Sequence, residues 1–491
     1  GPADLVHPGG GPGSWRPLWW RCGTSIHIEA EAGAEPLTLE RLALVETRHP
    51  LRVEARWKAP DPAWNRIFAI GRRTLEMCLH ETFMDCPYYE QLMYVGDTRI
   101  QCLLAYALAR DDRPQRKALA LFDSSRTNPT GLVAANHPSR GSQLIAPFAL
   151  WWIAMIRDFA WWRGDRAFVR ERLPGVRAVV DFFAARVDAE GLLRAPEGWN
   201  FVDSAYRPGG VPPGAETGGR SAVLQAQWTL ALGMAAEVEA FAGEPEHAAR
   251  CRRLRAGAAR ALVASFWDDE RGLLADRTAS ERGDAAARSE HAQCLALLAG
   301  ALDAPQQARV WRALEQGAAA GLLGASCYFS HYAFEACLAA GRGDLFAARL
   351  APWKEGLREG FRTTPENFGE TRSDCHAWSA NPLFHYLSGV LGIGPGSWGF
   401  ESVLIAPCLP GTDGEASGTV AHPRGPIRVA LERRREKVRA EISLPPGLSG
   451  AFRIGNEEHP LHPGRQRIDL APSSSGSQRR TAKAAEVNSR T

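Results

Sequence analysis

The chain has 491 residues, with 45% apolar and 23% charged side chains, which predicts a globular protein with a large core. A net charge of only +3 argues against nucleic acid or an anionic membrane as the main partner. Ten cysteines without a CxxC pair argue against a zinc site and against a disulfide framework.

Neither a membrane span nor an export signal is predicted. The longest apolar run, Ile145 to Ile156, covers about 12 residues and is too short to cross a bilayer. The first ten residues lack the basic start and apolar stretch of a signal peptide, which favours the cytoplasm.

Residues 1–59 are predicted to form β structure. Ser25–Ala30 alternates apolar and polar residues, and Leu37–Glu40 follows after a glycine-containing turn. Two strands are too few to close a sandwich. We therefore interpret this segment as the end of a truncated β-sandwich domain.

Residues 60–392 have the apolar periodicity of helices. Twelve helical segments are predicted: 62–80, 96–110, 113–125, 142–162, 166–188, 220–241, 245–266, 286–301, 305–319, 327–341, 344–358 and 377–391. Each odd-numbered segment is followed by a long connection: 81–95, 126–141, 189–219, 267–285, 320–326 and 359–376.

This alternation predicts a closed ring. In a ring of antiparallel helices, the connections after odd-numbered helices all lie at one end, so the six long loops gather on one face. Twelve helices in six hairpins make an (α/α)6 toroid, and closure brings loop 81–95 opposite loop 359–376. The alternative is an open solenoid, but no motif repeats at a fixed period.

The stretch from Met84 to Gln101 carries three carboxylates, Asp85, Glu90 and Asp97. Aromatic residues lie between them: Tyr88, Tyr89 and Tyr94. Carboxylates supply acid–base chemistry and bind hydroxyls, and aromatic rings stack on sugar faces. The alternative is an ordinary capped loop in which Asp97 accepts from the first N–H groups of the next helix.

The last long connection is equally rich in reactive side chains. It supplies Glu366, Glu370, Arg372 and His376, with Trp378 directly after it. If the ring closes, these groups lie opposite the acids of the first loop.

Other loops add fewer candidates. Asp203, beside aromatic residues in 189–219, is predicted to accept hydrogen bonds from sugar hydroxyls. Asn136 and His137 lie in 126–141, where a structural role for the histidine is favoured. No HxxE or HxxxH pair lies in these loops, and the chain lacks a nucleophile elbow, a Walker motif and a dinucleotide glycine pattern.

After residue 393 the pattern returns to β. A small antiparallel domain is predicted over 393–472, with candidate strands at Ser402–Pro407, Ile427–Glu432, Val438–Ile442 and Ala451–Ile454. The polar end, 473–491, is predicted to be a disordered tail.

Several of these motifs together resemble a known family. Asp85–Pro87 followed by Glu90 and Gly96–Asp97 is similar to the catalytic signature of glycoside hydrolase family 78, the bacterial α-L-rhamnosidases of the six-hairpin glycosidase superfamily. Arg372–Ala380 resembles the closing motif of a branch of that family, and Asn200–Asp203 also fits.

The resemblance covers roughly residues 15–455. It implies an (α/α)6 catalytic domain, flanking β-domains and an inverting mechanism without metal or cofactor. Glu90 matches the general acid, and Glu366 is preferred over Glu370 as the general base. The residues expected to bind the sugar are Asp85, Tyr89, Asp97, Asp203, Glu370, His376 and Trp378.

The predicted function is therefore removal of terminal α-L-rhamnose from glycosides or polysaccharides. An inverting pair is expected to lie about 6.5–9.5 Å apart, and a retaining pair about 5 Å apart. The alternatives are a glycosidase for another sugar, a phosphorylase, a lyase that uses Tyr89 and Arg372, or an inactive carbohydrate-binding relative. The expected partner is a carbohydrate, and a homodimer stays open.

Overall fold

The structure is a computed structural model that describes residues 3–7, 9, 11–278, 280, 287–369, 371–435 and 437–470. Glu370 and the predicted tail at 473–491 lie outside the described residues. None of the helices in the described part of the chain has both the length and the hydropathy that a bilayer crossing requires.

Helices fill the central part of the chain. The α-helices, numbered α1 to α14 in chain order, are Pro62–Met77, Val95–Leu108, Arg113–Ser124, Ala146–Arg163, Arg166–Arg170, Leu173–Ala184, Ala222–Ala242, Pro245–Phe266, Glu290–Leu298, Ala304–Gln316, Ser330–Ala339, Gly343–Ala348, Ala351–Glu359 and Asn381–His385. A 3₁₀ turn (Ala377–Ala380) precedes α14, and a π-helical turn (Tyr386–Val390) follows it.

The twelve predicted segments are all found, but three of them are irregular: 166–188, 344–358 and 377–391. The last of these consists of the 3₁₀ turn, α14 and the π-helical turn. The segments at 166–188 and 344–358 are each split, and the second pieces begin at Leu173 and Ala351. Pro174 and Pro352 cause the breaks, because proline has no N–H to continue the ladder and fits only the first turn of a helix.

The helices form an inner and an outer ring. All residues of α2 are buried, and α4, α7, α9 and α11 are buried on most sides. The outer helices are amphipathic and bury one face only: α1, α3, α6, α8, α10 and α13. Each long connection leads from an outer helix to an inner one, as the alternation of loop lengths predicts.

The ring is closed by contacts between its first and last hairpins. Ala377 N–H donates to Asp85 O (3.1 Å), and Thr364 N–H donates to Thr74 Oγ1 (2.7 Å). The 3₁₀ turn before α14 packs against both α1 and α2. The six-hairpin toroid is therefore confirmed, and the solenoid is excluded.

The C-terminal domain consists of two sheets. Its strands are β4 to β11: Ile393–Pro395, Ser402–Ile405, Asp413–Val420, Ile427–Arg434, Lys437–Leu444, Ser449–Ile454, Glu457–Leu461 and Gly464–Leu470. The first sheet has the order β1-β6-β7-β8-β11 and is antiparallel; its edge strand β1 is Arg56–Lys58. The second has the order β10-β9-β5-β4, in which β5 and β9 are parallel. A two-stranded hairpin, β2 (Trp267–Asp268) and β3 (Leu273–Leu274), lies in the helical domain.

The strands predicted near the N-terminus are not formed. Among the described residues before Arg56 there is no strand, and Ser25–Ala30 and Leu37–Glu40 are irregular. The apolar side chains of both stretches, such as Ile26 and Leu39, are exposed. Alternation of apolar and polar residues specifies a strand only where another layer covers the apolar face. The described residues provide no such layer here. That the segment belongs to a sandwich domain stays a prediction.

Candidate active site

The first loop, between α1 and α2, is closed at its base. Asp85 N–H donates to Leu92 O (2.8 Å), and Leu92 N–H donates to Asp85 Oδ1 (3.0 Å). Gln91 has a φ of +54° and donates through its side chain to Pro87 O (2.9 Å). These contacts make a tight protruding turn, and Glu90 lies within it.

The last loop holds Glu366 through its backbone. Glu366 N–H donates to Ser373 O (2.8 Å), and His376 N–H donates to Thr364 O (2.8 Å). Trp378 Nε1 donates to Glu366 O (2.8 Å). The backbone of Glu366 is thus held in place, and its side chain extends where this loop faces the first.

The two loops meet at Arg372. Its Nη2 lies 2.5 Å from Glu90 Oε1, and its Nε lies 3.3 Å from Glu366 Oε2. The side chains of Glu90 and Glu366 are 26% and 17% exposed, and that of Arg372 is 50% exposed. We call these three residues the outer layer. The two glutamates therefore face each other across one guanidinium, as closure of the ring predicts.

Asp85, Asp97 and His376 form a second group, which we call the inner layer. All three are buried, and His376 Nε2 lies 3.1 Å from Asp97 Oδ1. Asp97 does not cap α2: the N-cap is Tyr94, and Asp97 stands in the first turn, where its carboxylate pairs with the imidazole. The capping expectation is wrong because the N-cap lies three residues earlier, at Tyr94, and the helix begins at Val95.

Burial and mutual charge shift the titration of the inner layer. Burial raises the pKa of Asp85 to about 6, although His376 opposes this shift. Burial also raises the pKa of Asp97, against its hydrogen bond to His376. For His376, burial disfavours the charge, but the hydrogen bond to Asp97 and the nearby acids outweigh it and raise the pKa to about 10. His376 is therefore an imidazolium at neutral pH.

Two polar atoms of the inner layer have no hydrogen-bond partner among the described residues, Asp85 Oδ2 and His376 Nδ1. The Cys86 thiol, a weak partner, lies near both: donor atoms of Asp85, Cys86 and His376 lie within 4.8 Å of one another. This set would hold a cation only after His376 lost its proton, which Asp97 opposes. Both atoms are buried in the structure, and their predicted contact with sugar hydroxyls stays a prediction.

Asp203 has a different environment from the one predicted. It is fully buried, its Oδ2 lies 2.5 Å from His291 Nε2, and it accepts from Ser326 N–H (3.0 Å) and from the Ser326 hydroxyl. These partners join the loop of Asp203 to α9 and to the residues that precede α11, and the neighbouring Ser204 donates to Asn367 of the last loop (3.1 Å). The role of Asp203 in binding sugar hydroxyls stays a prediction.

Trp378 is also buried rather than open. Its ring centroid lies 4.3 Å from that of His376 and 4.9 Å from that of Tyr328. Since its indole N–H is bonded to Glu366 O, Trp378 connects the inner layer to the backbone of the outer one. Its place in the sugar pocket stays a prediction.

Two residues near Glu90 were missing from the predicted site. Burial and the adjacent Glu90 carboxylate raise the pKa of Tyr94. The backbone of Tyr94 also pairs with that of Asn136 in an isolated antiparallel β-bridge. Trp19, from the N-terminal segment, donates through Nε1 to Gln91 Oε1 (2.9 Å). Tyr94 could have been chosen from its position between two acids, but no local signal in the sequence places Trp19 here.

A ring of six helical hairpins whose long loops bring carboxylates together defines a six-hairpin glycosidase domain. Residues 55–388 match the bacterial alpha-L-rhamnosidase 6 hairpin glycosidase domain, and residues 392–469 match the bacterial alpha-L-rhamnosidase C-terminal domain. The chain therefore belongs to the bacterial α-L-rhamnosidase family. Comparison with curated protein sequences gives no match.

Solved structures of rhamnosidases are similar to this chain. A GH78 family rhamnosidase of Bacillus sp. GL1 has a TM-score of 0.75 at 27% identity, over 83% of this chain and 43% of that one. A rhamnosidase from Klebsiella oxytoca with rhamnose bound has a TM-score of 0.58 at 24% identity, over 67% and 64%. The Streptomyces avermitilis α-L-rhamnosidase complexed with L-rhamnose has a TM-score of 0.69 at 16% identity, over 86% and 43%. The chain thus spans less than two thirds of the length of each, and the last two show the fold alone.

Proposed function

We propose that this chain hydrolyses terminal α-L-rhamnosides with inversion at the anomeric carbon, using Glu90 as general acid and Glu366 as general base. The observation that carries the proposal is the placement of both carboxylates on one guanidinium at the open face of the ring. Family membership supports rhamnose as the sugar.

In the proposed reaction, Glu90 gives its proton to the glycosidic oxygen as the bond from that oxygen to C1 breaks. A water molecule attacks C1 from the opposite face, and Glu366 takes the proton that this water loses. An inverting pair needs space for that water. Since Arg372 fills the space between the carboxylates, its side chain must swing aside when the sugar enters, and its half-exposed position permits this.

The inner layer binds the sugar in this proposal. Asp85 Oδ2 and His376 Nδ1 are buried beside the Cys86 thiol, so the entering sugar must uncover them before its hydroxyls can hydrogen-bond to them. The pKa of about 10 keeps His376 a donor through the neutral range, and the pKa of about 6 lets Asp85 accept above that pH. Asp97 holds the imidazolium in place.

The test is hydrolysis of a rhamnosyl disaccharide by the wild type and by Glu90→Gln. We expect the wild type to release L-rhamnose and the variant to lose about 10²–10⁴-fold in kcat/KM, the usual contribution of a positioned acid. An activated aryl rhamnoside, whose leaving group needs less protonation, should lose much less. An unchanged rate on the disaccharide would remove Glu90 from the acid role, and release of a different sugar would reject the rhamnosidase assignment.

A further inference from the structure

Exposed aromatic side chains are concentrated beside Glu90. Five tryptophans and tyrosines are exposed among the described residues: Trp15, Trp19, Tyr88, Tyr89 and Trp199. Three of them surround the turn that carries Glu90: Tyr88 and Tyr89 belong to it, and Trp19 is bonded to its Gln91. Single exposed rings are common, but several grouped beside a carboxylate point to a ligand.

Trp19 is fixed against this turn although the segment around it is irregular. Its Nε1 donates to Gln91 Oε1 (2.9 Å), and the next residue, Trp20, stacks on His80 with centroids 4.0 Å apart and planes at 11°. Trp20 also packs against the small buried cluster of Cys78, Met84 and Ala377. Trp20 thus anchors the segment, while half of Trp19 stays exposed.

The two tyrosines belong to the same turn as Glu90, and Tyr89 lies next to the outer layer. Tyr88 and Tyr89 are 45% and 55% exposed and pack edge to face with centroids 4.9 Å apart. The guanidinium of Arg372 lies 5.6 Å from the Tyr89 ring centroid and is bonded to Glu90. Tyr89 is therefore next to the guanidinium that is bonded to Glu90, the residue proposed to protonate the leaving oxygen.

The position of Glu90 decides which part of the substrate these rings meet. A general acid must contact the glycosidic oxygen, so the groups around it on the open side face the leaving group rather than the sugar that is released. We propose that Trp19, Tyr88 and Tyr89 form a platform for a leaving group with a flat ring face, either a pyranose or an aromatic ring. This inference rests on the proposed function.

The experiment compares substrates that share the rhamnosyl group and differ in the leaving group: methyl α-L-rhamnoside, phenyl α-L-rhamnoside and a rhamnosyl-glucose disaccharide. The readout is the ratio of kcat/KM for each ring-bearing substrate to that for the methyl rhamnoside. We expect Trp19→Ala to lower this ratio about three- to tenfold, the usual size of an aromatic ring contact. If the ratio falls only for the disaccharide, the platform binds sugars. If it falls for both the disaccharide and the phenyl rhamnoside, the platform binds flat rings in general.

Two further variants separate stacking from scaffolding. Trp19→Phe keeps a ring but loses the hydrogen bond to Gln91, so its ratios should stay within about twofold of the wild type. Trp15→Ala removes another exposed tryptophan of the same segment and should leave the ratios unchanged. Equal ratios in Trp19→Ala and Trp15→Ala, or equal losses in Trp19→Phe and Trp19→Ala, would overturn the platform.

The outcome also separates this inference from the proposed function. If the wild type releases no rhamnose from any of the three substrates, the proposed function is wrong and the platform fails with it. If the wild type is active and Trp19→Ala keeps its ratios, only the platform is wrong.

Discussion

The outer and inner layers of the site carry similar side chains but satisfy their charges differently. In the outer layer, two carboxylates share one half-exposed guanidinium, and water reaches all three groups. In the inner layer, one imidazolium lies among two buried carboxylates, and the pKa values of all three are raised. Exposed pairs exchange partners at little cost, whereas buried ones do not. This difference is consistent with the proposed roles, acid–base chemistry in the outer layer and sugar binding in the inner layer.

The largest expected effect concerns the base in the outer layer. Glu366→Gln should lower kcat/KM by about 10²–10⁴-fold, since it removes the group that activates water. Glu370→Gln is the matched control, because the sequence left both residues open as the base. Circular dichroism should show both variants folded. Full activity of the Glu366 variant together with loss in the Glu370 variant would reverse the assignment.

The two layers should also differ in stability. Asp97→Ala leaves the buried imidazolium without its counter-ion and should lower the free energy of unfolding by about 3–5 kcal/mol. Arg372→Ala breaks the outer contacts and should cost only about 0–1 kcal/mol, because water replaces them. Urea denaturation measures both. Equal costs would show that the layers do not differ in the way described.

A smaller effect is expected at Asp203, which the structure separates from both layers. Asp203→Asn weakens the bonds to His291 and Ser326 and should lower the free energy of unfolding by about 1–3 kcal/mol. The KM of the Asp203→Asn variant for rhamnosides should change little. A large rise in KM without loss of stability would return Asp203 to the sugar-binding role that the sequence predicted.

A pH dependence of the stability is expected from His376. Its pKa of about 10 in the folded protein exceeds the unfolded value of about 6.5, so its stabilising contribution is complete below pH 6.5 and is lost as pH rises through 10. Between pH 7 and 9 the free energy of unfolding should therefore fall, by at most about 1.4 kcal/mol per pH unit from this group.

The matched comparison is between His376→Asn and His247→Asn, a partly buried histidine of α8. Between pH 7 and 9, His376→Asn should lose the part of the fall in unfolding free energy that comes from His376, and His247→Asn should keep it. An identical slope in the wild type and in His376→Asn would contradict the charged inner layer.

How far the sequence predicts the molecule depends on what each signal measures. The alternation of short and long loops reports which end of the ring each loop occupies, so it correctly placed Glu90 opposite Glu366. Alternation at Ser25–Ala30 reports only a potential strand, and without a covering layer none formed. The partners of Asp203 could not be predicted for a related reason: His291 of α9 and Ser326 before α11 are distant in sequence, and no local pattern reveals them.

The central claim is that Glu90 and Glu366 act as acid and base on opposite faces of one sugar, with a water molecule on the side of Glu366. The most direct measurement is proton NMR of the first product formed from an α-L-rhamnoside, taken before mutarotation. The account predicts β-L-rhamnose as the initial anomer. Initial appearance of α-L-rhamnose would show retention and would contradict the pairing of these two carboxylates as acid and base.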